Sequence, residues 1–385
     1  MVNYPKDWET VELNKKYRRV SGTPITAEMM ANIASVRGNI AVYAGGSTKI
    51  KTKSDCIKNS NIINDEVVIV QSRGIIDFIF SDKPCTFKNE FWGYIGDKNN
   101  SVKFLYYLLK NNVAYFRIAG EGRSSFSQIT KSVTENYIIP NISTTEQQAI
   151  ADALTAFDTH INNLSKLTEK KKMIRDGAVE DLVSGKRRLA GFSGEWEECE
   201  LNKIADIFDG THQTPKYTLT GVPFVSVENI TNLYDTDKFI SESDFELEFK
   251  NIPEKGDILM TRIGDIGTVS IVTRKSKLAY YVSLALFKRI KICSEFLLYY
   301  MRSSAFQKEL FDRSLNFAIP KKINKGEIGK CNVYFPTNMA EQQAIADILT
   351  AMDEEINDLE EEKGKYIALK AGAMNDLLTG KIRLV

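Results

Sequence analysis

Histidine is nearly missing from this chain, with two in 385 residues, and its five cysteines (Cys56, Cys85, Cys199, Cys293, Cys331) are scattered with no CxxC pair. That scarcity argues against a zinc site or a disulfide framework and fits a reduced compartment. A Ser-His-Asp triad would have to rest on His212, because His160 reads as an exposed helix residue. No run approaches the roughly 18 apolar residues of a membrane span, and the opening MVNYPKDWETVELNKKYRR has no apolar signal core. A cytoplasmic location with no membrane partner is the expectation.

Phosphate-cradling motifs are also missing. "SGKRRL" and "TGKIRL" hold a lone Gly-Lys without the upstream glycine of a P-loop, while "GGS" (45–47) and "RIGDIG" (262–267) lack the GxGxxG context. No NPPY-like or DPPY-like stretch marks an amino-methyltransferase site. The chain carries no recognisable catalytic constellation.

Net charge is scarce too, at +1, but it is unevenly spread. Residues 1–143 have 19 Lys and Arg against 13 acids; residues 195–269 have 6 against 16; residues 270–330 have 13 against 4. The last stretch is the candidate for a basic face.

Proline is absent between Pro140 and Pro215 and again after Pro336, and in those gaps the sequence says nearly the same thing twice. "EQQAIADALTAFD" begins at Glu146 and "EQQAIADILTAMD" at Glu341; aligned without gaps, Glu146–Leu189 and Glu341–Leu384 share 23 of 44 positions. Each copy reads as one long helix whose apolar residues recur at steps of four and three. Ile150, Leu154, Phe157, Ile161 and Leu164 make the stripe in the first copy, and Ile345, Leu349, Met352, Ile356 and Leu359 repeat it in the second. Such spacing is a coiled-coil seam, and antiparallel pairing of the two copies is the simplest way to bury it; packing of each helix on its own neighbouring domain is the alternative.

Ser143 and Asn338 suit the helix caps, with Glu146 and Glu341 reaching back as in a capping box, and Gly185 and Gly380 suit the ends. Gly177 and Gly372, at equivalent interior positions, point to a shared bend or a close helix contact. The first copy has 8 basic and 7 acidic residues, the second 5 and 10. The acidic run "DLEEEK" (358–363) either pairs with "KLTEKKK" (166–172) or is a solvated face.

The segments before each helix mix short apolar runs, such as "EVVIV" (66–70) and "GTVSIV" (267–272), with amphipathic helical stretches, which predicts α+β or α/β domains. Their edges match: "DWETVEL" (7–13) resembles "EWEECEL" (195–201), placing Trp8 and Trp196 in equivalent positions. The duplication therefore covers the whole chain, in the order domain (1–142), helix (143–189), domain (190–337), helix (338–385). Because the end of the second copy would lead as well into Trp8 as the end of the first leads into Trp196, the plan is circular, with a pseudo-twofold axis and adjacent termini.

The two "EQQAIAD" openings, the "LxxGKxRL" endings, the tryptophan domain starts, "DGTHQTPKY" (209–217) and "GDILMTRIGDIG" (256–267) together resemble the specificity subunit of type I restriction-modification enzymes. The resemblance covers essentially the whole chain. It implies a non-catalytic subunit with two target recognition domains, each reading half of an interrupted, asymmetric double-stranded DNA site, separated by two antiparallel coiled-coil helices that act as a ruler. It also implies partners: two methyltransferase subunits docked on the helices, and restriction subunits joined to that core. S-adenosylmethionine, ATP and magnesium would belong to those partners, with no cofactor or metal on this chain. A self-contained nuclease and a coiled-coil adaptor without a DNA role are the competing readings.

Charge and loop position select the candidate DNA contacts. In the first domain these are Lys49, Lys51, Lys53, Arg73, Arg123, Gln128 and Lys131. In the second they are Thr211, His212, Lys216, Arg262, Arg274, Lys275, Lys277, Lys321, Lys322 and Lys325. Arginine suits bidentate reading of guanine and glutamine suits adenine, whereas lysine more often holds phosphate.

Overall fold

The run Val67–Gln71, "VVIVQ", is buried at every position, which a half-exposed strand of alternating pattern could not be. It is an inner strand covered on both faces, and the first of two similar folds is built around it. The computed structural model of the chain describes residues 4–46, 48–58, 61–121, 127–213, 215–315 and 317–384. The chain divides into two compact units, residues 1–165 with 361–385, and residues 166–360. The division falls inside the two long helices, so each unit owns a segment of both.

The strands of unit 1 are β1 (Thr10–Glu12), β2 (Arg18–Ser21), β3 (Ile40–Tyr43), β4 (Lys49–Thr52), β5 (Val67–Gln71), β6 (Asp77–Ser81), β7 (Cys85–Phe87), β8 (Trp92–Ile95) and β9 (Ile138–Pro140). Among the described residues they form an antiparallel sheet ordered β2-β8-β5-β6, a smaller sheet β4-β3-β7 in which β3 and β7 run parallel, and the pair β1-β9. Val68 and Val70 face a core made with Phe104, Leu105 and Leu108 of the helix Val102–Asn111. Val67 and Ile69 face a second core, with Cys85 and Phe87. Ser101 caps that helix, its hydroxyl accepting from the Phe104 N–H at 3.3 Å.

Unit 2 contains β10 (Trp196–Glu200), β11 (Asp206–Asp209), β12 (Val222–Val225), β13 (Phe239–Ile240), β14 (Ile258–Thr261), β15 (Val269–Ile271), β16 (Ala279–Tyr280), β17 (Leu284–Lys288) and β18 (Asn332–Pro336). Its sheets repeat the plan: β11-β17-β14-β15 antiparallel, β13-β12-β16 with β12 and β16 parallel, and the pair β10-β18. Ile258 and Met260 of β14 face one core and Leu259 another, as in β5. The topology is duplicated although the sequences of the two domains have diverged.

The long helices span Thr144–Val183 and Met339–Leu378, 40 residues each, which at 1.5 Å per residue is about 60 Å. Within both units their segments pair antiparallel. In unit 1, Lys370 Nζ donates to Asp158 Oδ1 at 2.5 Å, and Glu362 Oε1 lies 3.4 Å from His160 Nε2. In unit 2, Arg175 pairs with Asp353, Lys171 with Glu355 at 2.6 Å, and Lys172 with Glu360 at 2.5 Å. The Lys172–Glu360 pair joins the run 166–172 to the run 358–363, so pairing accounts for part of the charge asymmetry. Tyr107 and Tyr299 donate to Asp158 and Asp353 at 2.7 and 2.9 Å, so an equivalent aspartate ties each domain to its helix pair.

The apolar stripe divides its work. Ile150 and Leu154, with Leu377 and Leu378, sink into the core of unit 1, while Ile345, Leu349 and Met352, with Val179 and Val183, join that of unit 2. Leu164 and Ile356 are buried further along, and Phe157, Ile161, Met352 and Leu359 are half-buried. Both ways of burying the stripe are used: the start of each helix packs on its own domain together with the end of the other helix. Full burial of a leucine or isoleucine stabilises by about 1.5–3 kcal/mol, so each junction is strongly held.

Three helix details differ from the sequence reading. Ser143 does cap, its Oγ accepting from Glu146 N–H at 3.2 Å, and Asn338 Oδ1 accepts from Ala340 N–H at 2.9 Å. Glu146 and Glu341, however, do not close capping boxes: their carboxylates are taken by arginines from the far end of the other copy. Of the two readings of Gly177 and Gly372, the close helix contact is excluded, since an added Cβ at either would meet nothing within 4 Å. His160 is half-buried, its ring 4.1 Å from that of Tyr366, and is not the exposed helix residue expected.

Beyond each helix the chain turns at a left-handed glycine, Gly185 (φ 70°) or Gly380 (φ 74°), and folds back. The fold-back carries Arg188 to Glu341 and Arg383 to Glu146. Both arginines also lie over a tryptophan, 5.5 Å from the Trp196 ring and 5.3 Å from the Trp8 ring. Arg383 bonds Asp7 at 2.9 Å as well, which brings the segments around these two residues together in unit 1.

Candidate nucleic-acid interface

In unit 1, β5 runs into Ser72, Arg73 and Gly74, and the left-handed Gly74 (φ 75°) turns the chain. The loop is pinned to a second segment: Arg73 and Gln128 form an antiparallel bridge, Gly74 N–H donates to Ser127 O at 2.9 Å, and Ile129 N–H donates to Ser72 O at 3.0 Å. Lys131 opens the short helix Lys131–Glu135 just beyond. The side chains of Arg73, Gln128 and Lys131 are all exposed on this one frame.

Unit 2 builds the same frame with other side chains. β14 runs into Arg262, Ile263 and the left-handed Gly264 (φ 85°). Ile263 bridges Lys322, Gly264 N–H donates to Lys321 O at 2.8 Å, and Ile323 N–H donates to Arg262 O at 3.0 Å. Lys325 opens the short helix Lys325–Gly329, in the place of Lys131. Where unit 1 offers a guanidinium and an amide, unit 2 offers an isoleucine and a lysine.

Arg262 is a correction to the candidate set. It is only 8% exposed and ion-pairs with Asp209, so its charge is spent inside the unit. The pair ties the "GDILMTRIGDIG" loop to "DGTHQTPKY". Gly210, next in that motif, is required by close approach, because a Cβ there would stand 2.4 Å from the carbonyl oxygens of Tyr280 and Tyr281. Thr211 N–H then donates to Tyr280 O at 3.2 Å, and its hydroxyl donates to Glu248 at 3.3 Å. His212 and Lys216 follow, both exposed.

The remaining candidates are more dispersed. Lys49 and Lys51 are exposed on β4, with Lys53 just after it, and Lys49 Nζ stands 4.8 Å from the Tyr43 ring centroid. Arg274 lies over the Tyr234 ring at 4.3 Å, beside exposed Lys275. Lys277 is exposed and pairs with Glu242, and that hydrogen bond holds its ammonium above the usual lysine range. Lys321 sits 5.9 Å from the Phe311 ring, and Lys322 and Lys325 are exposed. Arg123 lies outside the described residues.

Sequence reasoning missed Gly22 and Thr23, which occupy in unit 1 the place of Gly210 and Thr211. A Cβ on Gly22 would stand 2.2 Å from Phe87 O, and Thr23 N–H donates to that oxygen at 2.7 Å. The shared "GT", with a proline next in unit 1 (Pro24) and four residues on in unit 2 (Pro215), was the available signal. It missed too the roles of Gln147 and Gln342, whose carbonyls accept from Ser101 and Cys293 N–H at 2.9 and 2.8 Å; their identity in the two copies was the clue. Among the described residues no group of three or more His, Cys, Asp and Glu is placed to hold a metal, and no helix is long and apolar enough to cross a membrane.

Comparison with known proteins agrees with this duplicated architecture. The family model described as the type I restriction modification DNA specificity domain matches residues 5–173 and 193–369, one match on each half. The type I restriction enzyme MjaVIII specificity subunit of Methanocaldococcus jannaschii is 27% identical over 301 residues, 73% of this chain and 70% of that one. The crystal structure of the type I restriction-modification S subunit from M. genitalium superposes with a TM-score of 0.67 at 17% identity, covering 98% of this chain and 99% of that one. A chain from a study of complex assembly and conformational transition of the type I R-M system gives 0.55 at 14%, covering 99% and 100%. With the family match spanning both halves, and with the fold of a solved S subunit, this chain belongs to the type I restriction-modification DNA specificity family.

Proposed function

We propose that the chain is the sequence-reading, non-catalytic subunit of a type I restriction-modification complex, and that each unit reads one half of a bipartite, asymmetric double-stranded DNA site. The observation that carries this reading is the single loop frame built twice with different side chains. Arg73, Gln128 and Lys131 of unit 1 correspond to Ile263, Lys322 and Lys325 of unit 2. A guanidinium and an amide suit base edges, and lysines suit phosphates, so the two frames would prefer different sequences. Arg274, Lys275, His212 and Lys216 would add backbone contacts in unit 2, and Lys49, Lys51 and Lys53 in unit 1.

The chemistry would come from partners: two methyltransferase subunits holding S-adenosylmethionine, and restriction subunits using ATP and magnesium, in the cytoplasm. The relatives' names as specificity subunits support that division of labour. Co-purification of this chain with its methyltransferase subunits, followed by footprinting on DNA selected from a random pool, tests the reading. Two protected blocks of different sequence with an unprotected gap are expected. One continuous footprint, or cleavage or methylation by the purified chain alone, would refute it.

A further inference from the structure

The helix Ser304–Arg313 of unit 2 ends in a loop whose base is closed and whose tip is bare. Leu315 N–H donates to Lys322 O at 2.8 Å, and Ala318 N–H donates to Leu315 O at 3.1 Å. The facing loop grips the same place through Gly264 N–H and Lys321 O. At the tip, Phe317 and Ile319 have relative exposures of 103% and 100%. These are two large apolar side chains standing fully in water within three residues, the most exposed pair among the described residues.

The charge around the tip indicates what covers it. From Arg313 to Lys325 the sequence has four cations and no acid. Arg313 is engaged by Glu309 and Glu327, whereas Lys321, Lys322 and Lys325 have no carboxylate against them among the described residues. Asp265, on the facing loop, accepts from Thr268 Oγ1 at 2.6 Å. An apolar tip on a closed stem, followed in sequence by exposed lysines, matches the way DNA-bending proteins insert a wedge between base pairs while cations hold the flanking phosphates.

We infer that Phe317, with Ile319 beside it, is an apolar wedge that enters a base step in the half-site read by unit 2, with Lys321 and Lys322 on the adjacent phosphates. The inference rests on the DNA-reading function proposed above and adds to it a mode of reading: that half-site is chosen partly for a step that unstacks easily, pyrimidine–purine above all. Direct contact to every base of the half is then unnecessary.

The test uses the full chain assembled with its methyltransferase subunits and a duplex selected by that complex, carrying 2-aminopurine at successive positions of each half-site. Unstacking should raise fluorescence at one step in the unit 2 half. Phe317→Ala should abolish the rise and weaken binding roughly tenfold, Phe317→Leu should retain most of both, and Lys322→Ala should lower the salt slope by about one. Because Phe317 is fully exposed, these variants should fold as the parent does. If Phe317→Ala leaves the fluorescence and affinity unchanged while the parent protects two blocks, the wedge is refuted and the DNA reading stands. Loss of a protein partner with DNA binding intact also refutes the wedge; failure of the parent complex to select any duplex overturns both.

Discussion

Arg188 reaches across 153 residues of chain to set two guanidinium nitrogens on the Glu341 carboxylate, at 2.6 and 2.8 Å, and Glu341 has no exposed surface. Arg383 and Glu146 make the same contact in unit 1. A bidentate guanidinium is the partner that makes such a buried carboxylate tolerable. Arg188→Ala should therefore destabilise unit 2 by roughly 2–3 kcal/mol, Arg188→Lys by less, and adding Glu341→Gln to Arg188→Ala should recover part of the loss. Urea unfolding followed by circular dichroism reads all three.

Glycines of two kinds should respond in opposite directions. Gly210→Ala would drive a Cβ to 2.4 Å from two backbone carbonyls, and a loss of about 2 kcal/mol or more is expected. Gly177→Ala and Gly372→Ala meet open space inside helices, and each should gain up to about 1 kcal/mol. Melting temperatures decide between these outcomes.

Substitutions on the two loop frames should act on separate half-sites. Gln128→Ala should relax the sequence preference of one half, by about 1–3 kcal/mol of discrimination, and leave the other unchanged. Lys131→Ala and Lys325→Ala should weaken binding to all sequences alike and reduce the salt slope by about one each. Selection from random duplexes, repeated at two salt concentrations, measures both quantities.

The thiols provide a pH test. Burial pushes the Cys85 thiol up to about 11 and that of Cys331 to about 12, from an ordinary 9.0, while Cys56 is exposed. In the native chain near pH 8, a thiol reagent should label Cys56 long before Cys85 or Cys331. The folded-state values lie above the unfolded one, so the neutral thiols favour the fold fully below about pH 9, and this contribution fades as pH rises toward 12. Stability should fall over that alkaline range, and Cys331→Ala should make the fall shallower.

The duplication was legible because the residues that make the two helices pack are also those that stayed identical. Ile150, Leu154, Ile345 and Leu349 are buried in cores, and a helix period exposes such a pattern to inspection. The partner of Glu146 was not legible. A serine three residues before a glutamate satisfies a local capping rule, and only the fold brings Arg383 close enough to outcompete it. Arg262 misled for a related reason: a cation in a glycine-containing loop looks available until Asp209 is placed beside it. The correspondence of Gly22 with Gly210 was hidden because side chains around them differ, while what is shared is the approach of backbone carbonyls.

The cut through both long helices has a consequence for how the chain is made. Unit 2 is one continuous stretch, residues 166–360, whereas unit 1 needs residues 361–385 to complete a fold begun at the N-terminus. On the ribosome, unit 2 therefore has all its parts first. Unit 1 has its sheets early but lacks Leu377, Leu378 and Arg383 until the second long helix has been made. Of the two units, the one begun earlier is sealed later, and a chain halted before residue 377 leaves the carboxylate of Glu146 waiting for its cation.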